Sequence, residues 1–296
     1  MSLNSSSSLH PALNLGQSLP HFDGPSGDNH LYVSLSELIL EQVFYHPLYQ
    51  QESSNTLEEH EQSAIAAIVG EQSIETHFVQ TLADHIDAAI LPQHKAIRIS
   101  LSCADSDSFR SLLGGKCEPK EANPALGVRG VSRYAQPQFG PQFALECQVI
   151  KALQQRGHNV DVVVPFVRGL SDAAKIIDLL AEQGLPRGLN GLKVLYRVDV
   201  PSGALLSERL LHYFDGAVIN LENLTQFTLG VDRFNEVLGY LFDPQSEAVL
   251  QLIEQTVAAT SATNKPALVT SSGLIDCPRL QEFLAEQNDV ELVVTL

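Results

Sequence analysis

VDVVVPFVRGLSDAAKIIDLLAEQGLPRGLNGLKVLYRVDV, residues 160–200, decides the fold. Two apolar, valine-rich runs, VDVVVPF (160–166) and LKVLYRVDV (192–200), flank SDAAKIIDLLAEQG (171–184), whose apolar residues recur at helical spacing. Strand, helix and strand in that order predict a parallel pair, because parallel neighbours need a crossover connection rather than a tight turn. The same alternation extends in both directions. Upstream lie LYVSL from residue 31, AIRISLS (96–102) and ALGVRG (125–130); downstream lie GAVINL (216–221), PALVTS (266–271) and VELVVTL (290–296). Amphipathic stretches stand between them: FALECQVIKALQQRG (143–157), ALLSERLLHYF (204–214), SEAVLQLIEQTVAATSA (246–262) and PRLQEFLAEQ (278–287). Eight strand-like runs alternating with helices favour an α/β fold closed into a (β/α)8 TIM barrel, with a doubly wound open sheet as the alternative.

The 296 residues suit one such barrel, which commonly uses about 250. Hydrophobic residues at 44% and charged residues at 18% are ordinary for a globular chain. With 18 Lys+Arg against 35 Asp+Glu the formal charge is −17, a field that repels polyanions, so neither nucleic acid nor an anionic membrane is expected as a partner. The same field opposes a small anionic substrate, so a site for one must supply local cations, and each arginine becomes informative. Cys103, Cys117, Cys147 and Cys277 lie far apart without CxxC spacing, and the first residues lack the basic and apolar regions of a signal peptide. Reduced thiols and a cytoplasmic location are the expectation. No apolar run reaches the about 18 residues of a membrane span.

Residues 1–30, rich in Ser, Pro, Gly and Asn, read as a flexible N-terminal arm, which leaves 31–296 as a single TIM-barrel domain. A polar break at 50–62 precedes a helical stretch over 64–90. The sequence stops at Leu296, directly after the last strand-like run, so the barrel is expected to lack its final helix. The arm, the helix near 63–90 or a partner subunit is then expected to cover the seam, since an exposed apolar flank would be an association site.

NPALGVRGVSRY (123–134) and FALEC (143–147) resemble a stretch of phosphoenolpyruvate (PEP) synthase and, more distantly, of pyruvate phosphate dikinase. PFVR (165–168), GLPRGLNGLKV (184–194), VPSGALLSE (200–208), FDG (214–216), LTQ (224–226) and LGVDR (229–233) continue the likeness in order. It is dense from Leu112 to Arg233 and corresponds to the C-terminal PEP/pyruvate-binding barrel of those enzymes. The resemblance implies a barrel of the PEP/pyruvate superfamily and a transferase-like ancestry. It further implies Mg2+ as a cofactor, a small anionic ligand such as pyruvate, PEP or oxalate, and a homo-oligomer, most simply a dimer, or another protein partner.

In that family the barrel passes a phosphoryl group between a mobile phosphohistidine domain and pyruvate. Arginines hold anionic oxygens, an acidic pair holds Mg2+ and a cysteine protonates the enolate. Carried over residue by residue, the resemblance implies Arg129, Asn223 and Gln226 as substrate-binding groups and Asp199 with Glu222 as metal ligands. A guanidinium at the C-terminal end of a barrel strand suits paired hydrogen bonds to a carboxylate or phosphate, although spacing alone would equally allow Arg129 a surface ion pair. Other positions depart from the family. Leu35 stands where an LxRxE pattern has its arginine, beside a retained Glu37, and Ser100 and Cys103 stand at the arginine and acid of an RLSD motif. Asn223 replaces the aspartate of SNDxTQ with Glu222 one residue earlier, and Thr270 occupies the place of the cysteine. A threonine hydroxyl is a poor acid or base near neutral pH. Cys277, seven residues on, reads as a packing cysteine.

Two lost arginines forfeit charge-assisted hydrogen bonds of about 1.5–3 kcal/mol each, and no TSxxGGxxSH-like phosphohistidine segment occurs. The expectation is a catalytically degenerate barrel, a pseudoenzyme that binds pyruvate- or PEP-like anions or a protein partner. Two enzymatic alternatives stand beside it. One is metal-dependent enolate chemistry of the aldolase or lyase type through Asp199 and Glu222; the other is the acceptor half of a split phosphotransferase.

Overall fold

The structure, a computed structural model, describes residues 9–21, 27–49, 57–287 and 290–294. Nine strands among them form one all-parallel sheet: β1 (Asn14–Leu15), β2 (Gln17–Leu19), β3 (His30–Ser34), β4 (Ala96–Ser100), β5 (Asp161–Val164), β6 (Val194–Val198), β7 (Ala217–Asn220), β8 (Ala267–Ser271) and β9 (Val290–Val294). Their order is β1-β9-β8-β7-β6-β5-β4-β3-β2. The two edge strands are consecutive in the chain and separated only by Gly16. Asn14 and Leu15 lie in register with Glu291 and Leu292, whereas Gln17, Ser18 and Leu19 lie in register with Leu31, Tyr32 and Val33. The Gly16 N–H donates to the Leu292 carbonyl at 2.9 Å. One split segment therefore joins the last strand to the first full one, and the sheet closes as a barrel with helices outside it.

Residues 14–19, within the stretch read as an arm, thus occupy the seam. His10 anchors them further, its N–H donating to Gln281 Oε1 at 2.8 Å. None of the described helices is long and apolar enough to cross a membrane.

The run 125–130, expected as the third strand, is not one. Pro124–Leu126 forms a single 3-10 turn and the chain continues as a loop to Gly130. Proline removes an N–H that a ladder would need, and Gly130 sits at φ +58, where a side-chain Cβ would fall 2.5 Å from the Pro165 carbonyl oxygen. β4 pairs directly with β5 instead, Arg98 opposite Asp161.

Alternation along the strands sorts the side chains into two sets. Leu31, Val33, Ile99, Val162, Tyr196 and Ile219 belong to the main core that the outer helices cover. The Leu170–Glu182 helix shows why the helices cover it: Ala173, Ile176 and Leu180 return to one face and are buried. The opposite set fills the barrel in layers. Tyr32, Val163, Leu195, Val218, Leu268 and Val293 form a separate apolar cluster at mid-height. One pleat toward the strand N-termini lie His30, Arg98, Asp161 and Glu291, with Arg98 paired to Glu291 through its two terminal nitrogens, Nη1 to Oε2 and Nη2 to Oε1, the latter at 3.0 Å. One pleat toward the C-termini lie Ser34, Ser100, Arg197, Asn220 and Thr270.

Burial holds the His30 imidazole down to about 4 from its ordinary 6.5, with Glu291 opposing that fall and Arg98 assisting it. The unfolded chain therefore takes up a proton that the folded chain refuses. Stability is complete above pH 6.5 and falls as pH drops toward 4, by roughly 2 kcal/mol at pH 5 from this group. Urea unfolding at pH 7 and pH 5 should show that loss shrinking by about this amount in His30→Gln; an equal loss in both proteins would contradict it.

Candidate functional site

The C-terminal ends of the strands open on a cavity of about 250 Å3 whose lining includes Glu37, Cys103, Arg129, Arg197, Glu222 and Arg233. A second hollow of about 210 Å3 shares Asp105, Arg129, Asn223, Arg233 and Phe234 with it and adds Gln226. Larger hollows of about 540 and 470 Å3 open beside the outer helices Glu59–Val69 and Glu247–Ala262, but neither gathers arginines. Drug-sized ligands occupy about 300 Å3 or more, so the mouth suits something smaller.

β6 supplies the centre of the site. Arg197 and Asp199 are two residues apart, so both face inward, and both are buried. Arg197 Nε donates to the two Asp199 oxygens at 2.9 and 3.0 Å. Asn223 Nδ2 adds a bond to Oδ1 at 2.7 Å and the Phe166 N–H one to Oδ2 at 2.8 Å. At its far end the guanidinium approaches Tyr32 Oη and Ser100 Oγ, each at 3.4 Å from Nη1, and Nη2 meets Cys103 Sγ. Burial alone would weaken its hold on the proton, but Asp199, Cys103 and Tyr32 raise its pKa well above the ordinary value, so the cation persists. It lies against Ser100 and Cys103, the positions where the RLSD pattern has its arginine and acid.

Arg129 reaches the mouth from a loop rather than from a strand. Its Nε donates to the Cys103 carbonyl at 2.8 Å and its Nη1 to the Ala125 carbonyl at 3.1 Å, while Nη2 has no hydrogen-bond partner among the described residues. The guanidinium lies 4.3 Å from the centre of the Phe166 ring, and Arg168 approaches the same ring at 5.1 Å while donating to the Arg129 carbonyl. Phe166 itself sits at φ +52, a conformation that costs a non-glycine residue about 1–2 kcal/mol. Its N–H bond to Asp199 and the flanking aromatic edge of Phe227, 5.8 Å away, help hold it there.

Glu222 and Asn223 begin the Leu221–Leu229 helix directly after β7, with the Asn220 side chain capping it through the Asn223 N–H at 2.8 Å. Successive helical residues diverge by about 100°, so the two side chains part. Asn223 turns to Asp199. Glu222 Oε1 accepts from Ser272 N–H at 2.6 Å and Ser272 Oγ at 3.0 Å. Gln226 Oε1 accepts from the Arg233 N–H at 3.0 Å, and the Arg233 guanidinium lies over Phe234 without a side-chain hydrogen bond among the described residues. Burial pushes the Glu37 carboxyl up, although Arg197 pulls it back. Beneath the loop that carries Cys103, Glu146 accepts from the Ser102 N–H at 2.8 Å and Tyr134 Oη donates to the Ser102 carbonyl, which fixes the rim.

Arg129, Glu222, Asn223 and Gln226 thus come together around the mouth as the sequence placed them. Asp199 lies below them with both oxygens facing N–H donors. Those bonds and the Ser272 bonds of Glu222 leave the pair unlike the open oxygen cage that a divalent ion requires, and no group of three His, Cys, Asp or Glu suited to a metal occurs among the described residues. Thr270 is buried on β8, its hydroxyl donating to the Ile219 carbonyl at 3.4 Å. Cys277 precedes the Pro278–Glu286 helix, and burial pushes its thiol up to about 11. Arg197, Arg233 and Asp105 are site residues that the sequence reading missed. The signal for Arg197 was available: an arginine sharing inward parity with Asp199 on an otherwise apolar strand.

The family model described as "PEP-utilising enzyme, PEP-binding domain" matches residues 48–273. Phosphoenolpyruvate synthase of Pseudomonas aeruginosa is 40% identical over 71% of this chain and 27% of its own length. The Neisseria meningitidis protein of the same description is 33% identical over 84% of this chain and 32% of its own. This chain therefore spans about a quarter to a third of the curated relatives it matches. Among solved structures, a citrate lyase β subunit complexed with oxaloacetate and magnesium from M. tuberculosis aligns over 90% of this chain and 81% of its own at 13% identity and TM-score 0.42.

The Asp199–Asn223 contact gives a direct test of the mouth's charge balance. Asn223→Asp replaces a donor at 2.7 Å by a second carboxylate. It should cost about 1–3 kcal/mol at pH 7 in urea unfolding, and the deficit should shrink below pH 5 as the pair takes up a proton. A deficit independent of pH would show that the two side chains do not meet.

Proposed function

Because the chain belongs to the PEP-utilising enzymes through their PEP-binding domain, we propose that its mouth binds a small anion of the pyruvate, PEP or oxalate type without carrying out phosphoryl transfer. The observation that carries this reading is Arg129, a guanidinium fixed by two backbone carbonyls and an aromatic ring, with Nη2 bonded to none of the described residues, beside the cavity. A pre-positioned cation loses little side-chain freedom on binding an anion, and Arg233 offers a second one across the same hollow.

Loss of turnover is supported by the substituted positions. Ser100 stands where the resemblance places an anion-binding arginine, Thr270 presents a buried hydroxyl already committed to a carbonyl, and Leu35, the other position at which the resemblance implies an arginine, lies in the main core and outside the mouth lining. Enolate chemistry would need Asp199 turned to a substrate-bound ion, whereas its oxygens accept bonds from Arg197, Asn223 and Phe166. A protein partner or a second copy of the chain fits the rim, where Phe234, Val237 and Tyr240 are 76%, 80% and 81% exposed.

Calorimetric titration with oxalate, pyruvate and PEP should give saturable binding for at least one. Arg129→Met should weaken it by about tenfold or more, the equivalent of one charge-assisted hydrogen bond. Silence for all three anions would overturn the binding half, and PEP formation from pyruvate on adding a phosphohistidine donor would overturn the other.

A further inference from the structure

We infer that Arg197 takes the place of the divalent ion in this barrel, so that the mouth receives its anion on a built-in guanidinium and needs no Mg2+. The inference rests on the anion-binding reading above and concerns which cation that anion meets. Asp199 is the acid to which a metal would be assigned, and Arg197 Nε lies 2.9 and 3.0 Å from its two oxygens. The remaining bonds to that carboxylate come from Asn223 and Phe166, both N–H donors. A metal ligand must offer free lone pairs toward the ion, and here each oxygen is turned to protons instead. At position 223 an amide replaces an acid, and its Nδ2 is bonded to Asp199 as a donor. The carboxylate therefore neutralises a cation belonging to the protein.

That cation is suited to meet a ligand. Arg197 lines the mouth cavity together with Arg129. Its Nη1 contacts to Tyr32 and Ser100 are long, at 3.4 Å each. An oxyanion entering the mouth can draw them away at little cost, because hydrogen bonds of that length are weak. The guanidinium fork then presents parallel N–H groups to a carboxylate, the geometry that arginine supplies and a compact ion does not. The loss of an arginine at Ser100 is offset from across the barrel, since Arg197 reaches that side chain from β6.

Oxalate titrated into the full chain by calorimetry, once in EDTA and once in excess Mg2+, tests the inference. The expected result is the same dissociation constant in both when it is expressed in free oxalate, since Mg2+ itself complexes part of the oxalate; binding that requires Mg2+ would overturn the inference while leaving the anion-binding reading intact. Silence in both arms would remove the reading on which the inference rests. Arg197→Met, checked for folding by circular dichroism, should bind oxalate about tenfold or more weakly in EDTA, and unchanged affinity would overturn the proposal. Where that variant does not fold, Arg197→Met with Asp199→Asn removes both buried charges together and is read by the same two outcomes. Mn2+ gives an independent readout: its paramagnetic resonance signal with oxalate should be the same with and without the wild-type chain, and a protein-bound-ion spectrum would overturn the proposal.

Discussion

A guanidinium near the axis of a barrel can stay there only if a carboxylate meets it, and the ion pair of Arg197 and Asp199 is the contact on which the rest of the mouth depends. Breaking such a pair by removing one partner leaves an uncompensated buried charge, a loss of about 3–5 kcal/mol in comparable cases. Asp199 does more than match charge. It holds the Phe166 N–H, and through it a backbone conformation that presents the ring to Arg129 and Arg168. It also orients Asn223 at the start of its helix. One carboxylate thereby fixes the floor, the aromatic platform and one wall of the cavity.

The barrel interior separates this arrangement from a second polar cluster. Six apolar side chains at mid-height lie between Arg197 above and the Arg98–Glu291 pair below. A low-dielectric layer of that kind lets local charges set the field at each end, which explains how a chain of formal charge −17 can still offer arginines to an anion. The lower cluster serves the frame instead, because Glu291 belongs to β9 and Arg98 to β4, so their pairing ties together strands that are not neighbours in the sheet.

Most of the frame was legible because full strands carry their signal locally. LKVLYRVDV and GAVINL are apolar on the face that the helices cover, Val194, Tyr196 and Val198 in the first and Ala217 and Ile219 in the second, and Leu195 and Val218 continue that character inside the barrel. ALGVRG misled because its composition resembles a short strand while Pro124, Gly127 and Gly130 dictate a loop. The split strand escaped for the opposite reason: NLGQSL has neither length nor alternation, and its first half pairs with residues 291 and 292 while its second half pairs with residues 31–33. Among the site residues, Arg129, Asn223 and Gln226 could be found from motifs. Arg197 could not, since the resemblance directs attention to cations that are lost, whereas only parity along β6 places Arg197 on the same side as Asp199. The partners of Asp199 were equally hidden, because hydrogen bonds from Phe166 and Asn223 depend on loop geometry that no spacing encodes.

The seam has a consequence for how this chain comes to be folded. Residues 14 and 15 lie in register with residues 291 and 292, so the ring cannot be completed until the segment around residue 291 has left the ribosome. Until then the growing sheet carries an unpaired edge, the kind of surface that recruits strands from other molecules. Contacts of such high sequence separation also form late, because loop-closure entropy is lost before pairing returns anything. The short segment around Gly16 therefore acts as a clasp in time as well as in space, ending the period in which a nascent chain can be captured by a neighbour.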